Sequence, residues 1–486
     1  MGRAVLKSVM LLLVAVTAGF AQSKTTQLRN IDQSTITRLQ QNIPGLMQKG
    51  KIPGLSIALI RNGKTYWVKS FGVKNTETKQ PVSDDTVFEA ASLSKPVVAY
   101  AVLKLADQGK IDLDTPLTKY LPGTYDVQND DRINQITARI VLSHRTGFRN
   151  WRQNQPLQIY FTPGERFSYS GEGFVYLSKV VEHITGEPFN DFMKRTVFDP
   201  LGMKSSSFLW RADFDQRAAT GHDADGSVQE KGKPVQVNAA ASLHTTAADY
   251  ATFMEAVMNG TGLKPATQEQ MLKPQIAVDP ECSNCTDRAP GQSSKEVFWG
   301  LGVGLQRTSD GESFWHWGDN GSFKCYMLGY PGSKSGMIVF TNSENGLSIR
   351  SALTQDALGG AQPAMTWVKY DAYNAPVNEF YTQILEKGAT SAIGNFHDAI
   401  ASSAIDERAI NSLGYRLLRH KRTDDALKVF EVNVKTHPDS WNAYDSLGEA
   451  YMTAGQKDLA VKNYEKSVEL NPKNSGGLEM LKKLRQ

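Results

Sequence analysis

Phe88-Glu-Ala-Ala-Ser92-Leu-Ser-Lys95-Pro96-Val-Val-Ala-Tyr-Ala-Val-Leu103 sets a hydroxyl three residues before an amine, at the start of an apolar helix. Residues three apart share a helix face, so the Lys95 amine reaches the Ser92 oxygen. Pro96 suits a first helical turn, where its missing N–H costs nothing. The run from Val97 to Leu105 is apolar nearly all round, which predicts a buried helix. A lone buried ammonium is costly, so a lysine at the head of such a helix needs a partner. The positive helix end and the adjacent cation both favour an alkoxide at Ser92. This is the pattern of a covalent serine hydrolase. The spacing alone also fits a helix-capping serine beside an exposed lysine, so the rest of the chain must decide.

Working outward, Leu55–Ile60, the turn Asn62-Gly63 and Thr65–Lys69 predict a β-hairpin, because Asn-Gly supplies the positive φ angles of a tight turn. Helical patterns follow over Gly173–Ile184, Phe189–Val197 and Ala248–Met258, and a loop-rich insertion occupies about 279–294. Strand patterns return at Gly302–Gln306, Ser322–Gly329 and Met337–Thr341. Strands at both ends with helices between predict an α+β fold, an antiparallel sheet flanked by helices.

The 486 residues suit two domains with accessory segments, and 40% hydrophobic and 21% charged residues are ordinary for a globular chain. Residues 1–21 read as a signal peptide: Arg3 and Lys7, an apolar core from Val9 to Val16, then Gly19-Phe20-Ala21. That core is too short to span a bilayer, and no later stretch is long enough, so no integral membrane segment is expected in the mature chain. Export to a bacterial periplasm, or secretion, is the expected localisation. A formal charge of +4, or +2 without Arg3 and Lys7, argues against a nucleic acid or an anionic membrane as partner. Cys282 and Cys285 form a Cys-x-x-Cys, and Cys325 stands alone. With no second ligand pair nearby, a local disulfide or plain thiols are expected rather than a metal, and no cofactor is implied.

The C-terminal part repeats. Leu413-Gly414, Ala426, Phe430 and Pro438 recur as Leu447-Gly448, Ala460, Tyr464 and Pro472, each 34 residues on. That is the tetratricopeptide period, with small residues where paired helices touch. Ala392, Phe396 and Ala399 fit a degenerate earlier unit, and about 478–484 a closing helix. The expected organisation is therefore 1–21 signal peptide, 28–360 hydrolase domain, 361–375 linker and 376–486 repeats. The all-α repeats are expected to bind a protein partner or to dock on their own catalytic domain.

Acyl transfer needs a second proton carrier and an oxyanion hole besides the Ser–Lys pair. Downstream lie Phe161-Thr-Pro-Gly-Glu-Arg-Phe-Ser-Tyr169-Ser170-Gly171 and Phe314-Trp-His316-Trp317-Gly318-Asp319. With Leu142-Ser-His144-Arg-Thr-Gly147 and Pro200-Leu-Gly-Met203, and in this order, these motifs resemble the serine hydrolases akin to class C β-lactamases, DD-peptidases and related esterases. The resemblance covers about Leu55 to Asn342. It implies a β-lactamase/transpeptidase-like fold with Ser92 as nucleophile and Lys95 as its proton-sharing cation. Tyr169, as phenolate or through Lys95, would be the proton carrier. His316 would stand where many relatives carry Lys, and the backbone N–H groups of Ser92 and Asp319 would form the oxyanion hole. Gly171 and Gly318 would border the substrate. His144 is read as structural, hydrogen-bonded to its own turn. Lys334-Ser335-Gly336 is a literal rival for the third motif, but it sits among turn formers.

One departure matters. The family often has Asn two residues after the tyrosine, where its amide binds the substrate's acyl amide; here that place is Gly171. Losing that donor weakens recognition of peptide-like acyl chains and β-lactams. The expected function is thus an exported hydrolase of ester, amide or peptide substrates, an esterase or D-Ala-D-Ala-type peptidase before an efficient β-lactamase. The alternative is an inactive sensor or scaffold that signals through its repeats. There is no Gly-x-Ser-x-Gly elbow, metalloprotease helix motif or phosphate-binding loop.

Overall fold

The computed structural model describes residues 27–485 apart from 124, 153–154 and 287–290, so the expected signal peptide lies outside the described residues. Ten strands can be named: β1 (Gly54–Arg61), β2 (Lys64–Gly72), β3 (Phe88–Glu89), β4 (His244–Thr245), β5 (Ile276–Ala277), β6 (Val297–Trp299), β7 (Gly304–Thr308), β8 (Gly311–Asp319), β9 (Lys324–Tyr330) and β10 (Ser335–Thr341). Eight of them form one sheet, ordered β2-β1-β10-β9-β8-β7-β6-β5, while β3 and β4 pair as a separate ribbon. The sheet ladders are antiparallel, and β1 from the N-terminal part pairs with β10 from the far end, Leu55 opposite Thr341. The β1–β2 hairpin turns at Asn62 and Gly63, with φ of 54° and 70°. That is the geometry the Asn-Gly pair predicts.

The central strands are buried on both faces, and their period-2 alternation divides them between two cores. Ala58, Ile60, Ile338 and Phe340 pack on one face with the helices Ser94–Asp107, Glu172–Thr185 and Ala247–Asn259. Leu55, Ile57, Leu59, Met337 and Val339 pack on the other, against Leu39, Ile43 and Met47 of the helix Gln33–Gly50 and Leu353 of Arg350–Ala357. Gln33–Gly50 starts with a capping box between Asp32 and Thr35, which satisfies the first free N–H groups. The result is a helix–sheet–helix sandwich with the Ser92 turn at one edge of its larger core.

The stretch 361–375 is not a free tether. It forms the helix Pro363–Val368, with Ala364, Met365 and Trp367 buried in the second core. The repeats follow as Glu407–Arg419 with Thr423–Thr436 and Trp441–Thr453 with Lys457–Leu470, closed by Ser475–Leu484. Gly414 and Gly448 face Phe430 and Tyr464, where a Cβ would lie 2.4 Å and 3.2 Å from the ring. Close helix contact explains the recurring Leu-Gly. The earlier unit is irregular: its second helix breaks between Ala389–Asn395 and His397–Ala401 at Phe396.

The repeat arm is docked on the domain that carries the sheet. Glu344 receives Arg416 (3.5 Å), Arg419 (3.1 Å) and His420 (3.2 Å), and Asp223 lies 3.4 Å from His420. Asp223, Glu344 and His420 bring ligand-type atoms within 4.8 Å of one another, with Arg416 and Arg419 pairing Glu344 across the same junction. Arg408 adds a 2.6 Å pair with Asp371.

Candidate active site

Ser92 sits in the 3-10 turn Ala91–Leu93, which leads into the helix Ser94–Asp107. The turn is held from several sides. The Ala90 N–H donates to Leu243 O at 2.8 Å, the Tyr250 hydroxyl to Leu93 O at 2.9 Å, and Ser94 Oγ to Ala91 O at 2.6 Å. Ala91 carries a φ of 47°, a left-handed conformation that a non-glycine residue keeps only when its surroundings impose it.

Lys95 is fully buried, and its Nζ donates to Ser92 Oγ and to Ala240 O, each at 3.0 Å. The amine also lies 4.8 Å from the centre of the Tyr169 ring. Burial lowers its pKa to about 7, because no carboxylate offsets the lost hydration. The neutral amine is therefore accessible near neutral pH.

Tyr169 is buried, and burial raises its hydroxyl pKa, an effect tempered by the nearby Ser92 hydroxyl. The phenol oxygen makes no hydrogen bond of good geometry among the described residues. Burial therefore favours the neutral phenol in the resting protein.

His316, on β8, donates from Nδ1 to Trp317 O at 2.7 Å, since a carbonyl can only accept. Its Nε2 is then the bare acceptor, buried and without a protein partner among the described residues. Burial first, and then the Lys95 charge, lower its pKa to about 3, so the ring is neutral. The Tyr169 and His316 ring centres are 6.1 Å apart. A free acceptor thus shares the pocket with a free phenolic donor.

The strand carrying His316 closes on the Ser92 turn at Gly318. A Cβ there would lie 2.2 Å from Cys325 Sγ and 2.6 Å from Ala90 O. The Cβ side of Gly318 is thus taken up by the Ser92 turn and Cys325. Asp319 follows, its carboxylate between the Lys324 ammonium and the Tyr370 hydroxyl and accepting the Gly321 N–H at 2.9 Å. Burial opposes the charge, but Lys324 and Tyr370 hold this carboxyl below its ordinary range. Tyr370 comes from the stretch expected as a linker.

Gly171 is held and covered by the loop before it. Its N–H is used by Asn150, at 2.8 Å to Oδ1 and 3.1 Å to the carbonyl. Its open side is filled by Trp151: a Cβ would meet the indole at 2.5 Å. The rival Lys334-Ser335-Gly336 lies at the other end of the sheet, where Lys334 O accepts from Gly63 in the β1–β2 turn.

Sequence reasoning undervalued His144. Its carbonyl accepts the Ser168 N–H at 2.8 Å and its Nδ1 accepts the Ser170 N–H at 3.0 Å, so it grips the chain on both sides of Tyr169. The two rings lie 4.3 Å apart. The insertion near 280 does similar work. Cys282 and Cys285 are disulfide-bonded, Ser283 O accepts the Tyr169 N–H at 2.8 Å, and the Cys285 N–H donates to Ser168 Oγ at 3.0 Å. Cys325 is free and buried.

The Beta-lactamase family model matches residues 39–361. The chain belongs to the beta-lactamase family. A tetratricopeptide repeat model matches residues 442–474. Among curated relatives, Protein flp of Staphylococcus aureus (strain N315) is 27% identical over 230 residues, 43% of this chain and 45% of its own length. A Beta-lactamase of Pseudomonas fluorescens is 28% identical over 271 residues, 52% of this chain and 69% of that protein. The chain thus spans about half the length of the first of these relatives. A solved class C beta-lactamase mutant aligns with a TM-score of 0.57 at 19% identity, covering 66% of this chain and 96% of its own. Its likeness is one of fold. The fold brings Ser92, Lys95, Tyr169 and His316 into one cluster. Among the described residues no helix is long and apolar enough to cross a membrane.

Proposed function

We propose that the protein is an exported serine hydrolase that forms an acyl-enzyme on Ser92 from ester, amide or peptide substrates. The observation that carries this reading is the 3.0 Å contact between Ser92 Oγ and the buried Lys95 amine. As Ser92 attacks the substrate carbonyl, the neutral amine takes the hydroxyl proton. The developing oxyanion is received by the backbone N–H groups of Ser92 and Asp319, each worth about 10²–10³ in rate. The proton then passes through the Tyr169 hydroxyl to the leaving group as the acyl–leaving-group bond breaks. Water hydrolyses the acyl-enzyme by the same path in reverse, giving its proton toward Lys95 and restoring Ser92. His316 is a neutral acceptor that orients the Tyr169 hydroxyl, and His144 positions Tyr169 from behind.

Two observations bear on substrate. The place where relatives carry an asparagine amide for the acyl group is Gly171, and an indole fills the space beside it. This favours an esterase or peptidase-like enzyme over an efficient β-lactamase. The Cys282–Cys285 disulfide suits an oxidising compartment and supports export to the periplasm or beyond.

The test is labelling with a fluorophosphonate together with hydrolysis of p-nitrophenyl acetate. Wild type should label on the peptide containing Ser92 and turn over the ester, and Ser92→Ala should do neither. An unlabelled, inactive wild type would mean a sensor rather than an enzyme.

A further inference from the structure

We propose that the repeat arm is the outer wall of the acyl-binding cleft. The cleft takes an extended acyl group, with an apolar part over Trp151 and a cationic group toward Asp445 and Glu449. This rests on the reading of Ser92 as nucleophile and of the Gly171 side as the acyl side.

The inner end of the cleft is the loop 149–152, which is clipped to the tyrosine motif. Ser170 Oγ donates to Arg149 O at 2.9 Å, Gly171 N donates to Asn150, and Arg152 donates to the Glu172 carboxylate from N (3.2 Å) and Nε (3.0 Å). These bonds fix Trp151 beside the catalytic groups. Its indole covers Gly171, and its ring centre is 6.0 Å from Lys95 Nζ. An aromatic plate thus stands where a side-chain amide would otherwise reach the acyl group, and it is 39% exposed.

Trp151 also borders a cavity of about 580 Å³, within the range of small-molecule sites. One wall is the same hydrolase loop, with Leu157. The opposite wall is repeat surface, including Asp445, Glu449 and Tyr464. The cavity exists only because the arm is docked, and it begins one indole away from the catalytic amine.

The charges in the cavity choose the occupant. Arg152 is engaged by Glu172, Lys483 by Glu479 at 2.9 Å, and Arg149 is stacked on the Tyr160 ring at 4.5 Å. Asp445 and Glu449 lie one turn apart on Trp441–Thr453. Asp445 accepts from Asn474 at 2.6 Å, and Glu449 from the Tyr415 hydroxyl at 2.9 Å, both neutral donors. Among the described residues neither carboxylate is in an ion pair. A cationic group brought there would supply the missing counter-charge by direct electrostatic attraction to the two carboxylates.

The experiment uses the full chain and p-nitrophenyl esters that share one leaving group: acetate, hexanoate, 6-trimethylammoniohexanoate and 6-sulfonatohexanoate. We expect kcat/KM for the cationic ester to exceed that for hexanoate and the anionic ester by tenfold or more. The double variant Asp445→Asn/Glu449→Gln should lose this preference through KM, with kcat little changed and an unaltered Tm. Trp151→Ala should lower kcat/KM for all three long esters while keeping their ranking. Turnover of acetate with indifference to charge among the long esters, or a preference that survives the double variant, would overturn the proposal. Failure to turn over any ester would instead remove the Ser92 reading, and this inference with it.

Discussion

Lys95→Met should make the protein more stable and abolish its chemistry, and the pH dependence of that gain is calculable. The folded state holds the amine at about 7 through burial, against an ordinary 10.5. Below pH 7 the amine is charged in both states, and the folded state bears the whole desolvation cost, about 5 kcal/mol. Above pH 7 the folded protein sheds the proton while the unfolded chain keeps it up to about 10.5. Stability therefore rises with pH through this window. Between pH 6 and pH 9 the wild type should gain about 3 kcal/mol relative to Lys95→Met. The variant leaves Ala240 O without its donor, a loss of about 1–3 kcal/mol. It should thus be more stable than wild type by about 2–4 kcal/mol at pH 6, and near parity at pH 9. Urea unfolding at both pH values, read by the fluorescence of Trp299, Trp315 and Trp317, measures the difference. Parallel pH profiles for the two proteins would refute a depressed Lys95.

Other outcomes follow from the same geometry. The acylation rate should rise with pH to a plateau above about 7, as Lys95 loses its proton, in stopped-flow measurements with p-nitrophenyl acetate. Gly318→Ala should cost about 1–3 kcal/mol and most of the activity, because the new methyl meets the Ala90 carbonyl as well as Cys325 Sγ. Adding Cys325→Ala should rescue it only in part, since Ala90 O is backbone. Reducing the Cys282–Cys285 bridge should lower kcat more than it raises KM, since that loop anchors the Tyr169 backbone; unchanged kcat in dithiothreitol would count against this anchoring. Glu344→Ala should weaken arm docking by on the order of 2–4 kcal/mol, because the partly buried Arg416 loses its carboxylate and keeps only Asn345 and the Tyr381 ring. Limited proteolysis should then release the repeats more readily.

What the sequence made legible was whatever a local pattern encodes. Ser92 and Lys95 share a helix face by spacing, the Asn62-Gly63 turn has its own chemistry, and the repeat glycines recur at one interval. His316 was separable from Lys334 because an apolar strand surrounds one and turn formers the other. What stayed hidden depends on contacts between distant segments. Nothing local to Trp151 says that its ring covers Gly171, and nothing in Tyr370 says that it holds Asp319. His144 was readable as a turn residue, but its grip on Ser168 and Ser170 joins two separate segments. The stretch 361–375 passed for a linker because Pro363–Val368 is too short for a periodic signal, although Met365 and Trp367 are the apolar residues that could have flagged it.

The pairing of β1 with β10 has a consequence for how this chain comes into being. Leu55 finds its partner only at Thr341, so the sheet cannot close until nearly the whole catalytic domain has been synthesised. Such distant pairing slows folding. For the export proposed above, that delay would keep the chain open for a translocation pore, since no finished sheet could jam the passage.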